Sequence, residues 1–339
     1  MYSEEDLDAA VAAGALSAES VAAFRAHMEK ARATPVVDEE HFRLVNSFND
    51  IFVAIAGMLV LVAVGWIAET VAHGLVGVAV AATAWGLAEF FTRKRRMALP
   101  SILFLLAFTG GVFAALVPEF DRNTLTDAAS TFGIKVALAA AVTAGCTWLH
   151  WRRFRVPITV AAGAAALIGV AVGLLLAITP DLFKWMNGIL FAAGISVFVF
   201  AMYWDIADPL RQTRRADVAF WLHLLAAPLI VHPVFTLFGL LGKEGGVGGA
   251  VVVMLLYVVM AIIALIIDRR ALMVSALVYV LAAISAVLEK FGAVGVNVAL
   301  TALLIGSALL MLSAFWHVSR ACVVRQLAAS WQQKLPPLR

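Results

Sequence analysis

Charge is what this sequence has least of. Only 14% of its 339 residues are Asp, Glu, Lys or Arg, against about 25% in an ordinary soluble domain. Hydrophobic residues make up 63% and the mean hydropathy is +0.96. A water-soluble globule needs more polar surface, so the excess apolar surface must meet lipid. Cysteine is nearly absent. Cys146 lies inside an apolar run and Cys322 near the C-terminal end, neither in a C-x-x-C spacing, which excludes a disulfide framework and a thiolate metal site. Walker A, H-E-x-x-H and G-x-S-x-G motifs are missing, as is a histidine pair placed to ligate haem, so no metal and no cofactor is expected. No basic stripe with interleaved aromatics is present, which argues against nucleic acid. The N-terminus lacks a basic segment leading into a short apolar one, so no signal peptide is expected. The longest outer loop, Pro118 to Gly133, has about sixteen residues, too few for a catalytic domain, so an enzyme would have to work inside the bundle.

What is there is a series of ten apolar runs. They lie near Phe48–Ile67, Val71–Phe91, Ala98–Val117, Ile134–Trp151, Pro157–Ala177, Asn187–Trp204, Asp217–Leu241, Gly249–Ile267, Ala271–Leu288 and Ala293–Val318. Most approach the ~20 helical residues that cross about 30 Å of hydrocarbon. Only Ala68-Glu69-Thr70 separates the first two, which predicts a tight hairpin there. Gly169 and Gly173 form a GxxxG in the fifth run, where helices can approach closely.

Charge placement orients these runs. Alternate loops carry Arg93-Lys94-Arg95-Arg96, then Arg152, Arg153 and Arg155, then Arg211, Arg214 and Arg215, then Arg269-Arg270. The intervening loops hold only Arg122, Lys135, Lys184, Lys243 and Lys290. The positive-inside rule puts the dense group in the cytoplasm. The expected fold is therefore an all-α polytopic bundle of about ten transmembrane helices over residues 41–319, both termini cytoplasmic, in a bacterial inner membrane. A helical hairpin and linker (1–40) precede it and a tail (320–339) follows. The basic clusters recur with each two-helix hairpin, which topology alone explains. Two inverted halves remain open, although no matching pair of interrupted helices is visible.

Residues 1–40 hold nine acids and three bases, a net −6, leaving +9 for the rest. Ser3 and Asp6 resemble a capping box, Gly14 suits a helix end, Ser17 suits the next N-cap, and Pro35 follows a second helix that reaches about Lys30. The segment from Leu7 to Phe24 resembles small helical oligomerisation modules and the N-terminal segment of bacterial membrane proteins of the DUF2157 type. The resemblance implies a possible protein partner or self-association through this segment. A capped surface hairpin without a partner is the other reading.

The densest chemistry lies in Asp205-Ile-Ala-Asp208-Pro-Leu-Arg211-Gln-Thr-Arg214-Arg215-Ala-Asp217 and the run that follows, with His223, Pro228, His232 and Pro233. The wording DP-R-TRR-D-FWLHLLAAP-VHP resembles a stretch of bacterial inner-membrane proteins, to which the resemblance attaches no activity. Pro228 and Pro233 deprive the carbonyls of Leu224 and Leu229 of helical donors, which predicts either a broken span of the kind found at transporter sites or a proline kink used for packing. His223 and His232 are nine residues apart, on opposite faces of a helix, and each is expected to face the bundle rather than lipid. Asp205, Asp208, Arg211, Arg214, Arg215 and Asp217 read as a cytoplasmic gate or anion site, or else as acids that pair with the arginines and cap the next helix. Glu89 stands one turn before Arg93, an i,i+4 pair, and Asp50 opens the first run. Either becomes a proton or cation site if it faces water. His150 and His317 sit beside tryptophans at helix ends, where amphipathic rings gather.

Three functions fit: a proton-coupled small-solute transporter centred on His223, His232, Asp50 or Glu89; a scaffold or sensor whose N-terminal hairpin binds a partner; and a lipid-modifying intramembrane enzyme.

Overall fold

A computed structural model of the chain describes residues 10–24, 48–117, 129–208, 213–237, 246–270 and 297–332, with residues 7, 211, 272–273, 277, 280–281, 335–336 and 338 beside them. The chain divides into two units, Met1–Phe42 and Arg43–Arg339.

In the first unit Gly14 closes a helix as expected, at φ +70°. The amides of Ala15 and Leu16 both donate to the carbonyl of Ala10, and glycine adopts that left-handed turn without a Cβ penalty. Ser17 caps the next helix: its Oγ accepts the Ser20 amide at 3.0 Å. The expected roles of Ser3, Asp6, Lys30 and Pro35 fall outside the described residues.

The second unit is all helix among the described residues. Its elements are α1 (Phe48–Val71), α2 (Val76–Leu87), α3 (Ala98–Leu116), α4 (Ala129–Phe154), α5 (Ile158–Ile178), α6 (Met186–Ile206), α7 (Arg214–Leu237), α8 (Gly246–Ile267), α9 (Asn297–Ala314) and α10 (Trp316–Val324). Six of them, α1 and α3 to α7, are each long and apolar enough to cross a membrane. Their outer faces are apolar too. On α1, Phe52, Ile55, Leu59, Val62 and Trp66 are all exposed, and their alternating spacing of three and four makes one stripe that water would not tolerate.

The remaining runs depart from ten uniform spans. The second continues from α2 into a π-helical turn, Ala88–Lys94. The last bends by 70° between α9 and α10. Most of the ninth lies outside the described residues. The predicted turn at Ala68-Glu69-Thr70 is instead helical: α1 runs to Val71, and the reversal uses a 3-10 turn, His73–Leu75. Thr70 supports this end by donating its hydroxyl to the Ile67 carbonyl at 2.7 Å.

Consecutive helices pair as hairpins, most extensively α4 with α5, α6 with α7, and α2 with α3. Small residues make this possible. A Cβ on Gly173 would lie 2.6 Å from the Ala137 amide nitrogen and 2.8 Å from the Gly133 carbonyl oxygen. Gly77 meets the backbone of Gly111 and Ala115 in the same way. The GxxxG thus works as expected, with Gly133 on α4 as its partner. Each of these three hairpins turns at the arginine-rich end through a left-handed residue, and α8 ends on one as well. Arg96, Arg155, Arg211 and Asp268 have φ between 53° and 58°. These positions recur every 56 to 59 residues.

Two cores lie along these hairpins. One, between α1, α2 and α3, includes Leu61, Ala84, Phe104 and Phe108. The other packs Ala161, Val197, Val218 and Leu222 between α5, α6 and α7. His150, expected at an interface, is fully buried beside the first, against Trp85, Phe108 and Phe154. The reason is register: on α4 it shares a face with Thr143 and Thr147, which are also buried. His317 on α10 is half-buried.

Candidate functional site

The arginine-rich ends of α6, α7 and α8 converge on a buried ion-pair cluster. Asp205, on the last turn of α6, is its centre. Arg269, just past α8, donates Nε to Asp205 Oδ2 at 3.0 Å and an Nη to Oδ1 at 2.5 Å. This is a bidentate fork, the strongest carboxylate geometry available to a side chain. A further Nη bond, at 3.2 Å, reaches the Ala216 carbonyl in the first turn of α7. One guanidinium therefore ties α6, α7 and α8 together.

His223 adds a third contact to the same carboxylate, with Nε2 at 3.2 Å from Asp205 Oδ2. It projects from α7, is wholly buried, and lies edge-on to Phe198 at 5.3 Å. Its Nδ1 is enclosed and has no hydrogen-bond partner among the described residues.

A second pair completes the cluster. Arg211 donates to Asp268 Oδ2 at 3.1 Å and to the Ile267 carbonyl at 3.0 Å. Trp316 Nε1 donates to Asp268 Oδ1 at 2.8 Å, and Arg320 Nε lies 3.5 Å from that oxygen. Arg320 also donates to the Pro336 carbonyl at 2.6 Å, which brings the C-terminal residues into the network. Arg270 stacks over Trp316 at 4.9 Å. Arg211 and Asp268 are the two left-handed turn residues of their connections. Such backbone costs of order 1–3 kcal/mol per residue, and the ion pair joins the two strained positions.

Asp208 has a different task. Its Oδ2 accepts the Thr213 amide at 2.8 Å and the Thr213 hydroxyl at 2.7 Å. Thr213 Oγ1 then accepts the Arg215 amide at 3.2 Å. This relay caps α7 and satisfies donors that helix geometry leaves open. Asp217 stands in the first turn of α7, as expected. Arg214 and Arg215 are exposed.

The buried set is charge-balanced: Asp205, Asp208 and Asp268 against Arg211, Arg269 and Arg320. Sequence reasoning expected the acids to pair within their own stretch. Instead Asp205 and Arg211 take partners from the next connection, and Arg269 is a buried tie rather than a solvated loop base. Asp268, Arg269, Trp316 and Arg320 were missed as site residues. The available signal was Asp268 itself, an acid closing an apolar run directly before two arginines.

Other expected site residues fall elsewhere. α7 is continuous through Pro228 and Pro233, so it is not a broken span. Pro228 is exposed and Pro233 buried. The two histidines do lie on opposite faces, but His232 is exposed rather than turned into the bundle, because the buried face of α7 is set by Val218, Leu222 and Ala226. Asp50 is buried in the first turn of α1. Glu89 pairs with Arg93 at 3.2 Å as expected. It also accepts two bonds from Arg153 of α4, at 2.7 and 3.1 Å. That partly exposed group links the ends of α2 and α4 as Asp205 and Arg269 link α6 and α8.

Among the described residues, no group of three His, Cys, Asp or Glu is placed to hold a metal ion. Comparison with protein families, with curated proteins and with solved structures gives no match. The resemblances of residues 7–24 and 205–233 rest on those residues alone.

Proposed function

We propose that the chain is a proton-coupled small-solute transporter of a bacterial inner membrane, with about ten spans and both termini cytoplasmic, and that the buried cluster is its cytoplasmic gate. The observation that carries this reading is His223: a buried imidazole on the central carboxylate, with Nδ1 enclosed and without a partner among the described residues. Ionisable groups kept inside a membrane bundle are costly and mark ion pathways by default.

The geometry supplies a mechanism. With His223 neutral and donating from Nε2, three carboxylates face three guanidiniums and the cluster is balanced. A proton taken up at Nδ1 leaves the cluster with an excess positive charge, facing Asp205 of α6, Arg211 of the α6–α7 connection and Arg269 beyond α8. His223 and Arg269 then compete as cations for one oxygen of Asp205. Separating α8 from α6 and α7 relieves the repulsion and opens the arginine-rich end. Loss of the proton lets the fork close again. Orientation follows from the basic connections, which the positive-inside rule assigns to the cytoplasm.

The test is charge movement in proteoliposomes on a solid support, challenged with panels of amino acids, sugars, carboxylates and organic cations. The proposal expects a solute-triggered current that His223→Gln and Asp205→Asn abolish. A current indifferent to both variants, or none across the panels, contradicts it.

A scaffold or sensor is the second reading, favoured by the separation of Met1–Phe42 as its own unit. In that case deleting those residues disables the protein, whereas a transporter keeps its current without them.

A further inference from the structure

Helices α5 and α6 are consecutive but meet at only a few positions, and a lateral groove of about 760 Å³ opens between them and α4. Gly163, Ala164 and Ala193 form its middle, and Trp148, Trp151 and Trp204 stand at the arginine-rich end. Its hydroxyls are already engaged. Thr147 donates to the Thr143 carbonyl at 2.7 Å, Ser196 to the Ala192 carbonyl at 2.9 Å, and Thr159 lies 3.4 Å from His150 Nδ1. Such a wall suits hydrocarbon better than a polar solute.

The mouth is different. Arg152 stacks over Trp148 at 5.1 Å and Arg155 over Trp151 at 5.8 Å. Both arginines are exposed, and neither has a carboxylate partner among the described residues, unlike their neighbour Arg153, which Glu89 holds. Two uncompensated guanidiniums, fixed on indole faces at the head of an apolar trough, match a phosphate followed by a chain. The trough is long enough. Its α6 wall runs from Ile189 to Trp204, roughly 22 Å at 1.5 Å per residue, against about 15 Å for one leaflet's hydrocarbon.

We infer that this groove is a specific site for an anionic phospholipid, with one acyl chain between α5 and α6 and the headgroup phosphate on Arg152 and Arg155. It lies outside the ion-pair cluster and does not depend on the transport reading.

The test is native mass spectrometry of the full-length protein in neutral detergent, titrated with phosphatidylglycerol and with phosphatidylcholine of the same chains. Two arginines at a membrane surface predict a preference of roughly 10- to 30-fold for the anionic lipid. Arg152→Gln with Arg155→Gln should bring the ratio close to one, while Arg93→Gln with Arg95→Gln should leave it intact. Gly163→Leu should reduce retention of both lipids. Its Cβ would meet Thr147 at an ordinary 3.6 Å, and a thermal melt of the variant reports whether the helix pair accommodates the rest of the side chain. Equal binding of the two lipids by the unmodified protein, or a preference that survives the Arg152 and Arg155 changes, overturns the inference. So do undiminished binding to the Gly163 variant and displacement of the lipid by inorganic phosphate, which would mark an anion site without a chain.

Discussion

At the scale of single residues, the cluster makes Arg269 the most sensitive position in the described bundle. Removing one member of a buried ion pair leaves an uncompensated charge and costs about 3–5 kcal/mol, whereas replacing both members with neutral isosteres is often tolerated. Arg269→Ala should therefore lower the unfolding midpoint in detergent strongly. Asp205→Asn combined with Arg269→Gln should cost much less than that single change. The exposed pair of Lys184 and Asp181, at 3.1 Å, provides the contrast, because such pairs contribute about 0–1 kcal/mol. Lys184→Ala should be indistinguishable from the parent in the same measurement. Four members of the site, Asp205, Asp208, Arg211 and His223, were legible from their density in one stretch. Asp268, Arg269, Trp316 and Arg320 were not. A basic residue after an apolar run satisfies the positive-inside rule whether it ends in water or folds back into the bundle, and sequence spacing does not separate these fates.

At the scale of helices, backbone contact between small residues sets the hairpins. Gly173→Ala should destabilise by about 1–3 kcal/mol, since its new Cβ meets backbone atoms of α4 that cannot yield. Gly145→Ala is the control on the same pair of helices. Nothing lies within 4 Å of its Cβ position, so it should be neutral or stabilise by about 0.5–1 kcal/mol through helix propensity. Thermal melts of the two variants check both signs. The positions of the six membrane-length helices were well read from hydropathy, because a run that must cross hydrocarbon satisfies its backbone only as a helix. Helix ends were read less well. Thr70 extends α1 by bonding back to Ile67, and α2 finishes in a π turn, neither of which hydropathy registers. Of the two readings open for the prolines of α7, the continuous helix sets aside the broken span. A missing donor at Leu224 or Leu229 is a local fact, while the continuity of α7 is decided by its packing against α5 and α6.

At the scale of the whole molecule, the two native cysteines report on topology. Cys322 is exposed on α10, and Cys146 on α4 is partly covered by the core between α2 and α3. With the C-terminus cytoplasmic, a membrane-impermeant thiol reagent should label Cys322 in inverted vesicles and not in intact cells, and should leave Cys146 largely unlabelled in both. Labelling of Cys322 from outside the cell would reverse the orientation. The all-helical, membrane-crossing character followed from composition, because low charge and long apolar runs leave few alternatives. The repeat of left-handed turns at Arg96, Arg155, Arg211 and Asp268 was hidden, since four arginine-rich connections look alike whether or not their backbones do. The proposed transport requires the ion-pair cluster to close a pathway at the arginine-rich end. The most direct measurement places single cysteines at Ala219, Leu222 and Ala226, on the buried face of α7, in a Cys146→Ala, Cys322→Ala background. The same impermeant reagent is then applied to inverted vesicles, with the cluster intact and with Asp205→Asn and Arg269→Gln together. Protection in the first case and labelling in the second is the predicted result. Equal labelling in both would mean the cluster closes nothing, and protection in both would mean no pathway lies behind it.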